Sequence, residues 1–266
     1  MTSFINPFDL DQTTNRVITL IPARYQSSRL PGKPLIDIAG KSMIQRTYTQ
    51  ASKAKLTTDL IYVVTDNQEI EDHVKSWNGR VLRVDQECLN GTERIAKSIS
   101  CLELDPKIND SDIVLNVQGD EPFIDPENID FLLNKHKTLL TSNPKQVDVV
   151  TLHSISHGDI TNINSCKIVT TRQDRVLYGS RSAIPFNKQG KNGDSSWHEH
   201  IGIFSFRPQW LEYLVSTSPT RLQLLEDIEW LQTLELGGKM YSYVAPKKNI
   251  PGINTRDDIK KISHLF

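Results

Sequence analysis

Short apolar runs at Val17–Ile21, Leu60–Val64 and Ile113–Val117, with further short strands expected at Arg80–Val84 and Val147–Leu152, recur through the first half of the chain, separated by segments of helical pattern. Each run is too short for a buried helix and stops at a turn residue or a polar cluster, which is the pattern of a strand covered on both faces. Strands that alternate with helices must pair in parallel, because the helix supplies the crossover that a hairpin turn cannot. The expected architecture is therefore an α/β fold with a mostly parallel, doubly wound sheet. The helical segments fall at Ser42–Ala54, from Glu69 to near Gly79, after Gly91, and over Glu127–His136. The pattern then changes. Cys166–Thr171 and Val176–Tyr178 flank a turn, and His200–Phe206 and Met240–Ala245 read as strands. Arg221–Leu236 reads as one amphipathic helix, with Glu226, Asp227 and Glu229 on a solvated or dimer-facing stripe, and Thr255–Ile262 as a terminal helix. No repeat or linker divides the chain. Residues 1–15 form an extension and residues 16–266 one domain, with a subsidiary lobe over about 180–230.

The first strand feeds the most informative loop. In VITLIPARYQSSRLPGKPL, Val17 to Leu35, the apolar run stops at Pro22 and opens into Arg24, Ser27, Ser28, Arg29, Gly32 and Lys33. Ligands of an open α/β sheet bind outside the carboxyl ends of its strands, where loop cations and backbone N–H groups can surround a polyanion. A nucleoside triphosphate suits that loop; a merely solvated basic loop is the alternative. Neither GxxxxGK[ST] nor GxGxxG is present, so the two familiar phosphate fingerprints do not account for it.

Two further strand ends carry polar residues. Ile113–Val117 runs into Gln118, Gly119, Asp120, Glu121 and Pro122. A carboxylate there, after a glycine that permits close backbone approach, suits a hard cation that bridges phosphate oxygens, whereas an isolated GDEP would be a β-turn. Asp66, after the second strand, reads as a helix N-cap. Gly91 and Thr92 mark a helix entrance with Arg94 in its first turn, where a cation opposes the helix dipole unless an anion or carbonyl meets it.

The 266 residues carry a formal net charge of −1, so no bulk charge draws the chain to nucleic acid or to an anionic membrane. Cys88, Cys101 and Cys166 are scattered without zinc-site spacing, which fits a reducing compartment. The first fifteen residues lack a basic leader and a long apolar core, and no stretch approaches membrane-spanning length. A cytoplasmic protein is expected.

The wording IPARYQSSRLPGKPL, followed in order by NGTERIA, LNVQGDEPFI, LYGSRSAIPF, HIGIF and the segment near Asn254, resembles the 3-deoxy-manno-octulosonate (Kdo) cytidylyltransferases. That resemblance implies a glycosyltransferase-A-like nucleotidyltransferase fold and a homodimer, with the segments after about Trp197 as candidate interface. The implied reaction transfers CMP from CTP to Kdo for lipopolysaccharide or a related surface glycan. Arg24, Lys33 and Asp120 would be catalytic. Ala23, Arg24, Ser27, Ser28, Lys33, Gly91, Thr92 and Arg94 would bind the nucleotide. Gln118, Tyr178, Arg181, Glu199, His200 and Gln223 would line the sugar side, although Tyr178 and His200 also read as core residues. Mg²⁺ would sit on Asp120 and Asn254. The chain departs from the family's wording at Asn90, at Glu199 in place of an arginine, at Gln223, and at Asn254 in place of a metal-binding aspartate. Glu199 suggests an amino-substituted ulosonate, and sialic acid is another alternative substrate. Asn254 raises a different class, a nucleotide-binding protein without turnover.

Overall fold

The computed structural model describes residues 15–26, 30–104, 106–188, 190, 196–250, 252–253 and 258. In chain order its strands are β1 (Val17–Pro22), β2 (Asp37–Ile38), β3 (Lys41–Ser42), β4 (Ile61–Thr65), β5 (Val81–Arg83), β6 (Ile113–Val117), β7 (Val149–Ser156), β8 (Lys167–Thr170), β9 (Val176–Ser180), β10 (Trp197–Phe206) and β11 (Met240–Val244). The helices are α1 (Met43–Lys53), α2 (Gln68–Ser76), α3 (Gly91–Ile99), α4 (Pro126–Ser142), α5 (Pro208–Ser216), α6 (Arg221–Glu226) and α7 (Leu231–Glu235). The main sheet runs β11-β7-β10-β6-β1-β4-β5, and the β8–β9 pair joins it through β10. The pairs among β6, β1, β4 and β5 are parallel, as is β11 with β7. β10 is antiparallel to both its neighbours, so the sheet is mixed as well as mostly parallel.

Alternation along the strands divides the core between two faces. Val17, Ile21, Ile61, Val63, Leu115 and Val117 pack with Ile44, Ile70 and Leu132 from α1, α2 and α4. Ile18, Leu20, Val64 and Val114 face the other way, onto Ile95, Leu211 and Leu231 of α3, α5 and α7. Helices thus cover both faces, as the apolar runs predict. Ser42 starts α1 by accepting from the Gln45 N–H, as a capping residue does.

Three expectations are corrected. Asn67, rather than Asp66, caps α2, its side chain accepting from the Ile70 N–H. The stretch 221–236 is two helices, because Asp227 takes the left-handed conformation at φ 50° and ends α6. The range 180–230 is not a lobe of its own, since β10 lies inside it and runs through the middle of the main sheet between β7 and β6. The expected terminal helix, apart from residue 258, and most of the expected extension lie outside the described residues. Among the described residues no helix is long and apolar enough to cross a membrane.

Candidate active site

A cleft of about 730 Å³ opens at the carboxyl ends of β1 and β6, where an α/β sheet is expected to hold its ligand. On one side β1 ends at Pro22, and the Ala23 N–H still bonds the Val64 carbonyl at 2.9 Å. Arg24 follows, exposed and lining the cleft. Gly32, at φ 67°, turns the chain into a short 3₁₀ segment that begins with Lys33. The Lys33 Nζ donates to Asp120 Oδ2 at 2.7 Å, so the strand-end carboxylate and the loop cation meet although 87 residues separate them. Gly119 makes that meeting possible. A Cβ there would stand 2.7 Å from the Pro22 carbonyl oxygen, too close for any side chain. Ser27, Ser28 and Asn254 lie outside the described residues.

The α3 entrance forms the next wall. Asn90 caps the helix through Oδ1 on the Glu93 N–H, so the departure at this position supplies a competent cap. Gly91 lines the cleft, while the Thr92 N–H is taken by Glu229 Oε2 at 3.1 Å. Arg94 is 4% exposed. Its Nη2 donates to Asp66 Oδ2 at 2.6 Å and its Nη1 to the Val84 carbonyl at 3.4 Å. The anion and carbonyl that an arginine in this turn requires come from the chain itself, and this is the work Asp66 does in place of capping.

The remaining wall comes from β10. Because β10 is antiparallel, its first half lies beside the carboxyl end of β6, and its register against β7 slips between Ile201 and Phe204. The irregularity presents Gly202 to the cleft floor, where its carbonyl accepts from the Gln118 N–H and its N–H donates to Glu121 Oε1. Glu199 and His200 precede it on the same wall. Glu199 accepts from Ser165 Oγ at 2.6 Å and has no ion-pair partner among the described residues. Burial pushes the His200 pKa down to about 3, so its ring is neutral at pH 7. Thr151 Oγ1 donates to the Ile203 carbonyl, so it accepts from His200 Nε2–H at 3.0 Å, and His200 Nδ1 is left as an acceptor.

The acids of the 221–236 stretch also belong here, contrary to the expected solvated or dimer-facing stripe. Glu226 receives Tyr178 Oη, Ser180 Oγ and the Arg181 N–H. Glu229 joins the Thr92 N–H to Gln118 Nε2, the latter at 2.8 Å, and burial raises its pKa. Both acids line the cleft, as does Trp230, whose ring lies 5.5 Å from that of His200. Arg181 lines it too, but its guanidinium donates to the carbonyls of Ile163, Glu226 and Asp227. Two expected sugar residues stand elsewhere. Tyr178 lies behind Glu226, outside the lining. Gln223 accepts from the Thr220 N–H in the capping box of α6. Three acids within four residues, set among the buried Ile228, Trp230 and Leu231, were the available signal for Glu229.

Glu121 is a further residue outside the sequence expectation. It is 6% exposed, and burial together with the neighbouring Asp120 charge pushes its pKa up to about 8. The native state therefore holds a proton that the unfolded chain releases above its ordinary carboxyl pKa, and stability falls as pH rises between about 4.5 and about 8. In metal-free protein, urea unfolding across that window should show wild type losing stability relative to Glu121→Gln, with a slope approaching about 1.4 kcal/mol per pH unit. Parallel pH profiles for the two proteins would contradict a protonated Glu121.

A strand-end carboxylate, a loop lysine and a polar wall in one cleft define a nucleotide-handling enzyme site, and residues 18–245 match the cytidylyltransferase family, to which the chain belongs. It is 36% identical over 253 residues to a 3-deoxy-manno-octulosonate cytidylyltransferase of Protochlamydia amoebophila, covering 94% of each chain. It is also 36% identical over 248 residues to an 8-amino-3,8-dideoxy-manno-octulosonate cytidylyltransferase of Shewanella frigidimarina, covering 92% of this chain and 96% of that one. Among solved structures, a CMP:2-keto-3-deoxy-manno-octonic acid synthetase complexed with CTP superposes with a TM-score of 0.81 at 29% identity, covering 94% of this chain and 98% of the other. These similarities bear out the family resemblance and the nucleotidyltransferase fold read from the sequence.

Proposed function

We propose that the chain transfers CMP from CTP to the anomeric hydroxyl of 3-deoxy-D-manno-octulosonate, releasing pyrophosphate. The observation that carries this reading is the Lys33–Asp120 contact at one side of a cleft whose other side is the Glu199–His200–Gly202 wall. On this reading phosphate chemistry and sugar recognition share one cavity, and the names of the relatives support the same pair of substrates. Arg24 and Lys33 would hold the triphosphate, with Lys33 exchanging its carboxylate contact for phosphate oxygens. Glu229 and Gln118 brace each other across the cleft, which fixes the Gln118 amide for a substrate oxygen. His200, neutral, offers an acceptor to a sugar hydroxyl.

The donor set suits Mg²⁺. Among the described residues no cluster of three or more His, Cys, Asp or Glu could hold a metal, so an ion here would be completed by substrate phosphates. Mg²⁺ characteristically binds in that way, through one or two carboxylates and the nucleotide. Asp120 would be the charged protein ligand and Asn254 a neutral one. An ion held by these two residues would supply charge neutralisation for the triphosphate and the pyrophosphate it releases. A homodimer in the cytoplasm completes the proposal.

The test is pyrophosphate release from CTP and Mg²⁺ with Kdo, 8-amino-Kdo and sialic acid, each offered separately. Release with Kdo supports the reading. Silence with all three despite CTP binding replaces it with a binding protein that lacks turnover. Glu199 favours a second reading, an amino-substituted ulosonate, because a carboxylate in the sugar half that has no ion-pair partner among the described residues can pair with a substrate ammonium. On that reading 8-amino-Kdo is turned over with kcat/KM about tenfold above Kdo, and Glu199→Gln removes the difference. Equal use of both sugars by wild type and variant would dismiss the amino substrate.

A further inference from the structure

Lys167 is fully buried at the start of β8, yet no carboxylate among the described residues lies within ion-pairing distance of its ammonium. All three of its donors go to backbone carbonyls instead, of Asn162 at 2.6 Å, Ser165 at 2.9 Å and Arg181 at 2.8 Å. A buried ammonium is costly unless hydrogen bonds saturate it, and three carbonyls aimed at one point would be equally costly without a donor. The two requirements satisfy each other here.

The three carbonyls belong to segments that carry the sugar half of the cleft. Ser165 is the residue whose hydroxyl holds Glu199. Arg181 is the residue whose N–H and guanidinium hold Glu226 and the left-handed turn at Asp227. The Lys167 backbone pairs with Ser180 on one side and Glu199 on the other, so the side chain closes a knot already begun by the sheet. The side chain reaches no substrate from this position, and its effect runs through its neighbours.

We infer that Lys167 is a positioning residue for sugar recognition, a three-way clamp that sets the distance between the Ser165–Glu199 wall and the Arg181–Glu226 wall. The inference rests on the cytidylyltransferase reading of the cleft. It separates the two substrates, because Lys33, Asp120 and the α3 entrance make none of these contacts. Losing the clamp therefore loosens the sugar site and leaves nucleotide binding in place.

The experiment measures CTP affinity, sugar KM, kcat and Tm for wild type, Lys167→Met and Ser165→Ala. Lys167→Met should raise the KM of the preferred ulosonate about tenfold or more, a fraction of what an ångström of misplacement costs, with CTP affinity within about twofold. Ser165→Ala should raise the same KM, and the double variant should fall short of the product of the two effects, as residues in one network do. If Lys167→Met does not fold, Lys167→Arg serves in its place: it keeps the charge, but a planar fork cannot put three donors on one point. A parallel loss of CTP affinity, kcat and Tm, with sugar KM unmoved, would show a structural role alone and overturn the inference. A wild-type chain that turns over no ulosonate overturns the cytidylyltransferase reading, and the assignment with it. Normal wild-type turnover with an unchanged sugar KM in the variants overturns only the clamp.

Discussion

Asp120→Asn is expected to lower kcat/KM by about 10³-fold, the order lost when one fixed electrostatic contact to a transition state is removed. Asparagine keeps the size and turn-forming habit of the side chain and removes only its charge. In wild type the Asp120 carboxylate lies 2.7 Å from the Lys33 ammonium, with side-chain exposures of 28% and 13%. Each therefore neutralises the other until the substrate arrives. In the variant Lys33 faces the cleft with a less demanding partner, so metal-free CTP should bind at least as tightly as before. The gain in CTP affinity on adding Mg²⁺, by contrast, should vanish. Titrating CTP with and without the cation, alongside turnover, separates these effects. A variant that kept a Mg²⁺-dependent gain in affinity, or lost less than tenfold in turnover, would remove Asp120 from the metal site.

The central strands β1, β4 and β6 were legible because burial on both sides leaves a short, nearly continuous apolar run. Lys33 and Asp120 were legible for a related reason, since each follows such a run or the loop it feeds. What escaped were features that depend on the direction of a single side chain. Asp66 and Asn67 are adjacent and both able to cap; only the buried Arg94 of α3 decides that Asp66 is taken as its partner. Arg221–Leu236 keeps one apolar periodicity through both α6 and α7, so the sequence pattern cannot show the break at Asp227 that turns Glu226 and Glu229 inward. Tyr178 and Gln223 illustrate the converse. The resemblance implied sugar-facing roles for both, yet here the hydroxyl of one and the amide of the other are spent on Glu226 and Thr220. Glu121 carried no role in the sequence reading, and only the approach of Gly202 from β10 reveals it as a buried acid in the cleft floor.

Gly119→Ala should cost about 10²-fold in kcat/KM and about 1–3 kcal/mol in stability, the range for forcing one extra carbon into a packed site. The obstruction is the Pro22 carbonyl oxygen at 2.7 Å from the added Cβ, and a backbone atom cannot swing aside as a side chain does. Relief must come from parting the ends of β1 and β6, the strands that carry the phosphate loop and Asp120. Thr47 Oγ1 donates to the Gly119 carbonyl at 3.1 Å, so α1 holds this peptide on its far side and limits the retreat. The two losses can be told apart by assaying well below the unfolding transition. An enzyme that is merely destabilised recovers full turnover when cold, because its folded fraction has the native site. An enzyme whose strand ends have separated stays slow at every temperature, since Lys33 and Asp120 can no longer address the same phosphate. Recovery on cooling would mean that Gly119 serves packing alone; persistence of the defect would show that the close approach of the two strands is what assembles the nucleotide site.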